Sequence, residues 1–118
     1  KEVPLKDAVF NLKRSAMFVS ALYNKDEELL RLALKDKLHQ PYREKIVPGL
    51  KDITNNLKHV NSVIGTVLSG AGPSILIIYN GIGANEIKEI VTNSWNYFNV
   101  SANFFNLPIE KEGASIIN

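Results

Sequence analysis

The chain has 118 residues, 45% of them hydrophobic and 22% charged, a composition that makes one domain with a real core and excludes intrinsic disorder. Lys plus Arg number 14 against 12 Asp plus Glu, a net charge of +2 that argues against a nucleic-acid binder. Cys is absent, which excludes disulfide scaffolds and Cys-based metal or redox sites, and a cytoplasmic setting is expected. The longest apolar run, Ile75 to Ile78 with Tyr79, is far too short to cross a membrane, and Lys1-Glu2-Val3-Pro4 is no signal peptide.

In chain order, the spacing of Leu5, Ala8, Val9, Leu12, Ala16, Val19 and Tyr23 predicts a helix from Leu5 to Tyr23, opened by Pro4. Its second half (Ala16 to Leu22) is apolar nearly all round, so it wants cover on more than one side. That cover is either a central place in this domain or chain lying outside it. Asp26 suits the cap of a second helix, with Glu27 and Glu28 in its first turn and an end near Lys37. Leu38 to Lys45 reads as a loop, because Pro41 disfavours helical geometry at Gln40. A short helix follows from Pro48 or Gly49 to about His59, with Leu50, Ile53 and Leu57 on one face.

Val63 to Leu68 is rich in β-branched residues and predicts a strand. Ser69 to Pro73 is a tight loop, and Ser74 to Tyr79 a second strand. So short a connection makes the pair antiparallel. Asn80 to Gly83 turns the chain into a helix from Ala84 to about Phe98. The alternation of Ala102, Phe104 and Leu107 with polar neighbours predicts a strand from Ser101 to Leu107, and Ala114 to Ile117 is a candidate last strand. The order gives an α+β fold, a two-layer sandwich of an antiparallel sheet with helices on one face.

The stretch Ser69-Gly70-Ala71-Gly72-Pro73-Ser74 has two readings. Its glycines and hydroxyls can shape an anion nest of inward N–H groups, or the glycines can serve hairpin geometry alone. It is not a Walker A loop, since no Lys follows at the needed spacing. Gly81-Ile82-Gly83 lacks the third glycine and the later acid of a dinucleotide site. Arg43, close to His39 and Tyr42, can grip a carboxylate or phosphate with its planar fork, or it can pair with Glu44 or Glu27 at the surface. His39 has no His or carboxylate at metal-ligand spacing, so no metal site is expected. No Gly-x-Ser-x-Gly elbow is present, and no catalytic residue is assigned.

Leu68 to Tyr79 (LSGAGPSILIIY) resembles the third conserved motif of the GHMP small-molecule kinases, a Ser-Gly-Ser-Gly-Pro-Thr type loop. Asp36 to Gly49 (DKLHQPYREKIVPG), with Pro41-Tyr42-Arg43 and Pro48-Gly49 as its core, is similar to a segment of the homoserine kinase branch. The first two helices and Gly113-Ala114 are similar too, so the resemblance spans nearly the whole chain. It implies the ferredoxin-like C-terminal domain of such a kinase, with the nucleotide-binding N-terminal half and its Pro-x-x-x-Gly-Leu-Gly-Ser-Ser-Ala type loop absent from residues 1–118. The implied reaction moves phosphate from ATP, with Mg2+, to the hydroxyl of L-homoserine on the route to threonine. ATP and Mg2+ would be bound mainly by the N-terminal half, and this chain alone is expected to be inactive.

By the same resemblance Arg43 binds the substrate carboxylate. His39, where some members carry an apolar residue, is a second substrate-side candidate. Ser69, Gly70, Ala71, Gly72 and Ser74 lie near substrate and phosphate. Ala71 replaces a common Ser, which removes one hydroxyl donor and favours a conformational role. Alternatives are another GHMP kinase, for example one acting on mevalonate-type substrates, and a non-catalytic small-molecule-binding regulatory domain. A homodimer through edge strands or the first helix is also an expectation.

Overall fold

The structure is a computed structural model describing residues 2–116. Helix α1 spans Leu5–Asn24 and closes on Lys25, whose left-handed backbone (φ 55°) directs its N–H to the carbonyls of Ala21 and Leu22. Helix α2, Glu27–Ala33, is capped by Asp26, which accepts from the Leu29 N–H at 2.9 Å. Then come α3 (Gln40–Arg43), α4 (Leu50–Leu57), β1 (Val63–Leu68), β2 (Ile75–Tyr79) and α5 (Ala84–Tyr97).

The two strands pair antiparallel, from Val63 opposite Tyr79 to Leu68 opposite Ile75. A register shift between Val63 and Gly65 puts Val63 on the same side as Leu68, although their spacing is odd. Val63 thereby joins Ile53 and Leu57 of α4, Val60, and Ile87 and Val91 of α5 in the main buried cluster, with Ile75, Ile77 and Tyr79 packed on it. A second cluster of Val47, Leu50 and Leu68 continues it toward the hairpin loop. Helices α4 and α5 thus cover one face, as expected for an α+β sandwich.

Beside β1 lies the α1–α2 hairpin. Arg31 donates to the carbonyls of Val63 and Asn61. Gly65 projects away from the main cluster, and a Cβ there would collide with Cδ1 of Leu34, the residue that ends α2. Helix α2 stops four residues before Lys37 because Leu34 turns onto Gly65 and Asp36 is committed to the next helix.

Three expectations fail. Leu38 to Lys45 is not all loop: Gln40–Arg43 is a short helix. Pro41 sits in its first turn, where a missing N–H costs nothing, and the Asp36 carboxylate accepts from the N–H groups of Leu38, His39 and Gln40. The strand expected at Ser101 to Leu107 does not form either. The segment has no regular structure and is exposed. Tyr79 donates its hydroxyl to Asn106 at 2.8 Å, and a cavity of about 550 Å³ opens between β2 and this segment. Side-chain alternation marks which way residues face, not whether the backbone finds a ladder partner. Ala114 to Ile116 is also irregular, after a turn in which Glu110 accepts from the N–H groups of Lys111 and Glu112; Ile117 lies outside the described residues.

Gly65→Val should lower unfolding stability by about 1–3 kcal/mol through overpacking against Leu34. Leu34→Ala in the same chain should return part of the loss in urea titrations, and strict additivity of the two changes would place the contact elsewhere.

Candidate functional site

The site is built where α3 meets the β1–β2 loop. Asp36 fixes α3 at its start. Besides the three backbone N–H groups, it accepts from the Asn11 side chain of α1, and Asn11 accepts in turn from the Lys37 N–H at 3.0 Å. Partial burial pushes the Asp36 pKa up. The hydrogen bonds from Asn11, Gln40, Leu38 and His39 outweigh that effect and hold it below the ordinary aspartate value.

From α3, two side chains reach the hairpin 28 residues on. Gln40 accepts from the Leu68 N–H at 3.1 Å, at the end of β1. Arg43 directs both Nε, at 3.0 Å, and Nη2 to the carbonyl oxygen of Ala71. Arg43 therefore touches the middle of the glycine loop, and it forms no ion pair with Glu44 or Glu27. Among the described residues the ion pairs are Arg31 with Glu28 and Lys37 with Asp7.

The loop itself is closed by Ser69 N–H to Ser74 O at 2.9 Å and Gly72 N–H to Ser69 O at 3.2 Å. The Gly72–Pro73 peptide is cis. Gly70 and Gly72 both hold positive φ, 59° and 77°; around Gly72 a Cβ would lie 3.1 Å from Leu68 Cδ2, whereas around Gly70 there is open space. Those two bonds leave the N–H groups of Gly70 and Ala71 without a partner among the described residues. Ser69, Gly70, Ala71 and Ser74 are exposed, and Ser69 and Ser74 also border the cavity beside β2. His39 is exposed at the N-cap of α3, four residues before Arg43, and its backbone N–H bonds Asp36 at 2.8 Å.

Arg43 and the loop are thus together, with His39 one helical turn away. Sequence reasoning missed Gln40 and Asp36, which hold them there. The signal was available in Asp36: a carboxylate four residues before a helix whose first turn carries Pro.

Residues 18–96 match the family model of the C-terminal region of GHMP kinases. The chain belongs to the GHMP kinases. It is 51% identical over 100 residues to a homoserine kinase of Aquifex aeolicus, covering 82% of this chain and 33% of that protein. A homoserine kinase of Petrotoga mobilis is 36% identical over 118 residues, all of this chain and 38% of the relative. The chain spans about a third of the length of these curated relatives. The crystal structure of a homoserine kinase from Cytophaga hutchinsonii superposes with a TM-score of 0.78 over 86% of this chain and 32% of that one. At 24% identity it shows the fold, that of a GHMP kinase C-terminal domain.

Asp36 carries charge-dependent stability in this domain. Its lowered pKa means that the contribution is full above the ordinary aspartate range and is lost as pH falls through the lowered, folded-state value. Asp36→Asn should flatten the acid limb of a stability–pH curve, and an unchanged limb would remove Asp36 from that role. Gly72→Val should cost about 1–3 kcal/mol, from left-handed backbone at a branched residue and contact with Leu68, read by thermal or urea unfolding.

Proposed function

We infer that this chain is the substrate-side C-terminal part of a kinase that moves phosphate from ATP to the hydroxyl of L-homoserine, giving O-phospho-L-homoserine for threonine synthesis. The observation that carries this reading is the contact of Arg43 with Ala71 in the glycine loop. It sets a guanidinium with unused donors beside the free N–H groups of Gly70 and Ala71. One cationic fork and a patch of N–H groups suit a substrate with a carboxylate at one end and a phosphoryl acceptor at the other. The printed names of the Aquifex and Petrotoga relatives support homoserine as that substrate.

In this reading the Arg43 donors not used on Ala71 bind the α-carboxylate, and His39 lies on the same side of α3 as a further contact. Ser69, Gly70, Ala71, Gly72 and Ser74 border the acceptor and the transferred phosphate. Phosphoryl transfer needs mostly positioning and charge stabilisation, which such a frame supplies. The described residues contain no group of three or more His, Asp or Glu able to hold a metal. Mg2+ and most of the ATP contacts are assigned, on the likeness to GHMP kinases, to the part of the longer relatives that this chain does not span, and residues 1–118 alone are expected to be inactive. None of the described helices is long and apolar enough to cross a membrane, and a cytoplasmic place suits a biosynthetic kinase.

The test uses the full-length polypeptide with ATP, Mg2+ and homoserine. Arg43→Ala should lower kcat/KM for homoserine by about 1.5–3 kcal/mol, the scale of a charged hydrogen bond, with the loss mainly in the homoserine KM. Gln40→Ala, which loosens the same clasp without a donor for the substrate, should cost less. An unchanged specificity constant in Arg43→Ala takes Arg43 out of the site. Turnover of a mevalonate-type alcohol in place of homoserine would move the chain to another GHMP kinase.

A further inference from the structure

Helix α1 has two apolar sides and uses one. Phe10, Met17, Phe18 and Ala21 lie on the side that packs toward α2 and the Asp36 turn, with Arg14 and Lys37 stacked on the Phe10 ring. On the other side run Leu5, Val9, Leu12, Ala16, Val19 and Tyr23, separated by steps of four and three in strict alternation. That is the a/d seam of a helix that packs along another helix. The seam is bare: Leu5 is 80% exposed, Leu12 72%, Val19 68% and Tyr23 88%. A contiguous apolar stripe of this length marks an interaction surface, since removing it from water is favourable.

We propose that the α1 seam docks on an amphipathic helix with acidic flanks, carried by the portion of the same polypeptide that lies outside residues 1–118. The 3.5-residue step asks for a helix rather than a sheet edge. The flanks choose its charge. Lys6 and Lys13 border the seam on one side, and Ala8, Ser15 and Leu22 on the other, with no acid on either. A second copy of α1 packed antiparallel sets Lys against Lys, and one packed parallel gives the lysines no counter-charge. Length supplies the source: the homoserine kinases of Aquifex and Petrotoga are spanned by this chain over 33% and 38% of their lengths, leaving most of their polypeptide to provide the helix. The proposal rests on the family and on that length, not on homoserine as substrate.

The test is maleimide labelling of Leu12→Cys and Val19→Cys, each in the full-length polypeptide, with the background of the parent subtracted. Each native rate is compared with that of the same variant unfolded in urea. The proposal expects native labelling slower by about tenfold or more at both positions, unchanged on dilution, and Lys6→Glu with Lys13→Glu should restore much of the rate. Native labelling as fast as in urea overturns it. Protection that disappears on dilution, together with a dimer by light scattering, overturns it in favour of a second copy. Protection indifferent to the two charge reversals overturns the acidic flanks. None of these outcomes depends on kinase turnover, so the substrate reading and this one fail separately.

Discussion

The grip of α3 on the β1–β2 loop is the constraint from which the site follows. The loop has little to define its own shape. Two of its residues are glycines in left-handed backbone, and only Ser69 to Ser74 and Gly72 to Ser69 close it internally. Ala71 stands between those glycines, and its carbonyl takes two donors from Arg43. A hydrogen bond to a charged group contributes about 1.5–3 kcal/mol, more than a solvent-exposed ion pair does, so this contact can hold a glycine-rich turn in one conformation. Gln40, bonded to the Leu68 N–H, fixes the same helix to the end of β1, and Asp36 fixes that helix to α1 through Asn11. One chain of contacts therefore runs from α1 through α3 into the loop.

The long elements were legible in the sequence because each carries a full period of apolar side chains. Leu50, Ile53 and Leu57 announce α4, and Ile87 and Val91 announce α5; all are buried as their spacing requires. The hairpin was legible from β-branched runs on either side of a glycine turn. Helix α3 was not. At Gln40–Arg43 it is too short for periodicity, and a local rule about the residue before proline argued against it. What overrides that rule is the Asp36 carboxylate, which accepts from the opening N–H groups, while Pro41 falls in the first turn, where its missing N–H costs nothing. The segment from Ser101 to Leu107 erred the other way. Its alternation is real, yet a strand needs a backbone neighbour, and among the described residues its tie to β2 is a side-chain bond between Tyr79 and Asn106.

The site was legible only in part. Arg43 and the glycine loop could be named, from chemistry and from resemblance, but nothing in a 28-residue separation says that they touch. Their meeting depends on Val47, Leu50 and Leu68, whose small cluster draws the end of β1 and the chain after α3 together. The register shift at Val63 and Gly65 belongs to the same geometry, because it lets Val63 join the cluster with α4 and α5 while Gly65 clears room for Leu34. Neither the cluster nor the shift has a local signature, since each is a property of elements already packed.

In the proposed reading, the electrostatics of Arg43 set what the assembled site binds. Arg31 and Lys37 also reach across the fold, but each has a carboxylate within 4.0 Å, Glu28 and Asp7. Arg43 has a neutral carbonyl. Its bonds to Ala71 restrain the guanidinium without cancelling the charge, so its field extends over the exposed rim of the loop, where the N–H groups of Gly70 and Ala71 are also unpaired. An anion arriving there meets a cation whose orientation is already fixed and whose charge is not already neutralised. Little side-chain entropy is then left to lose on binding, which supports the proposed carboxylate contact.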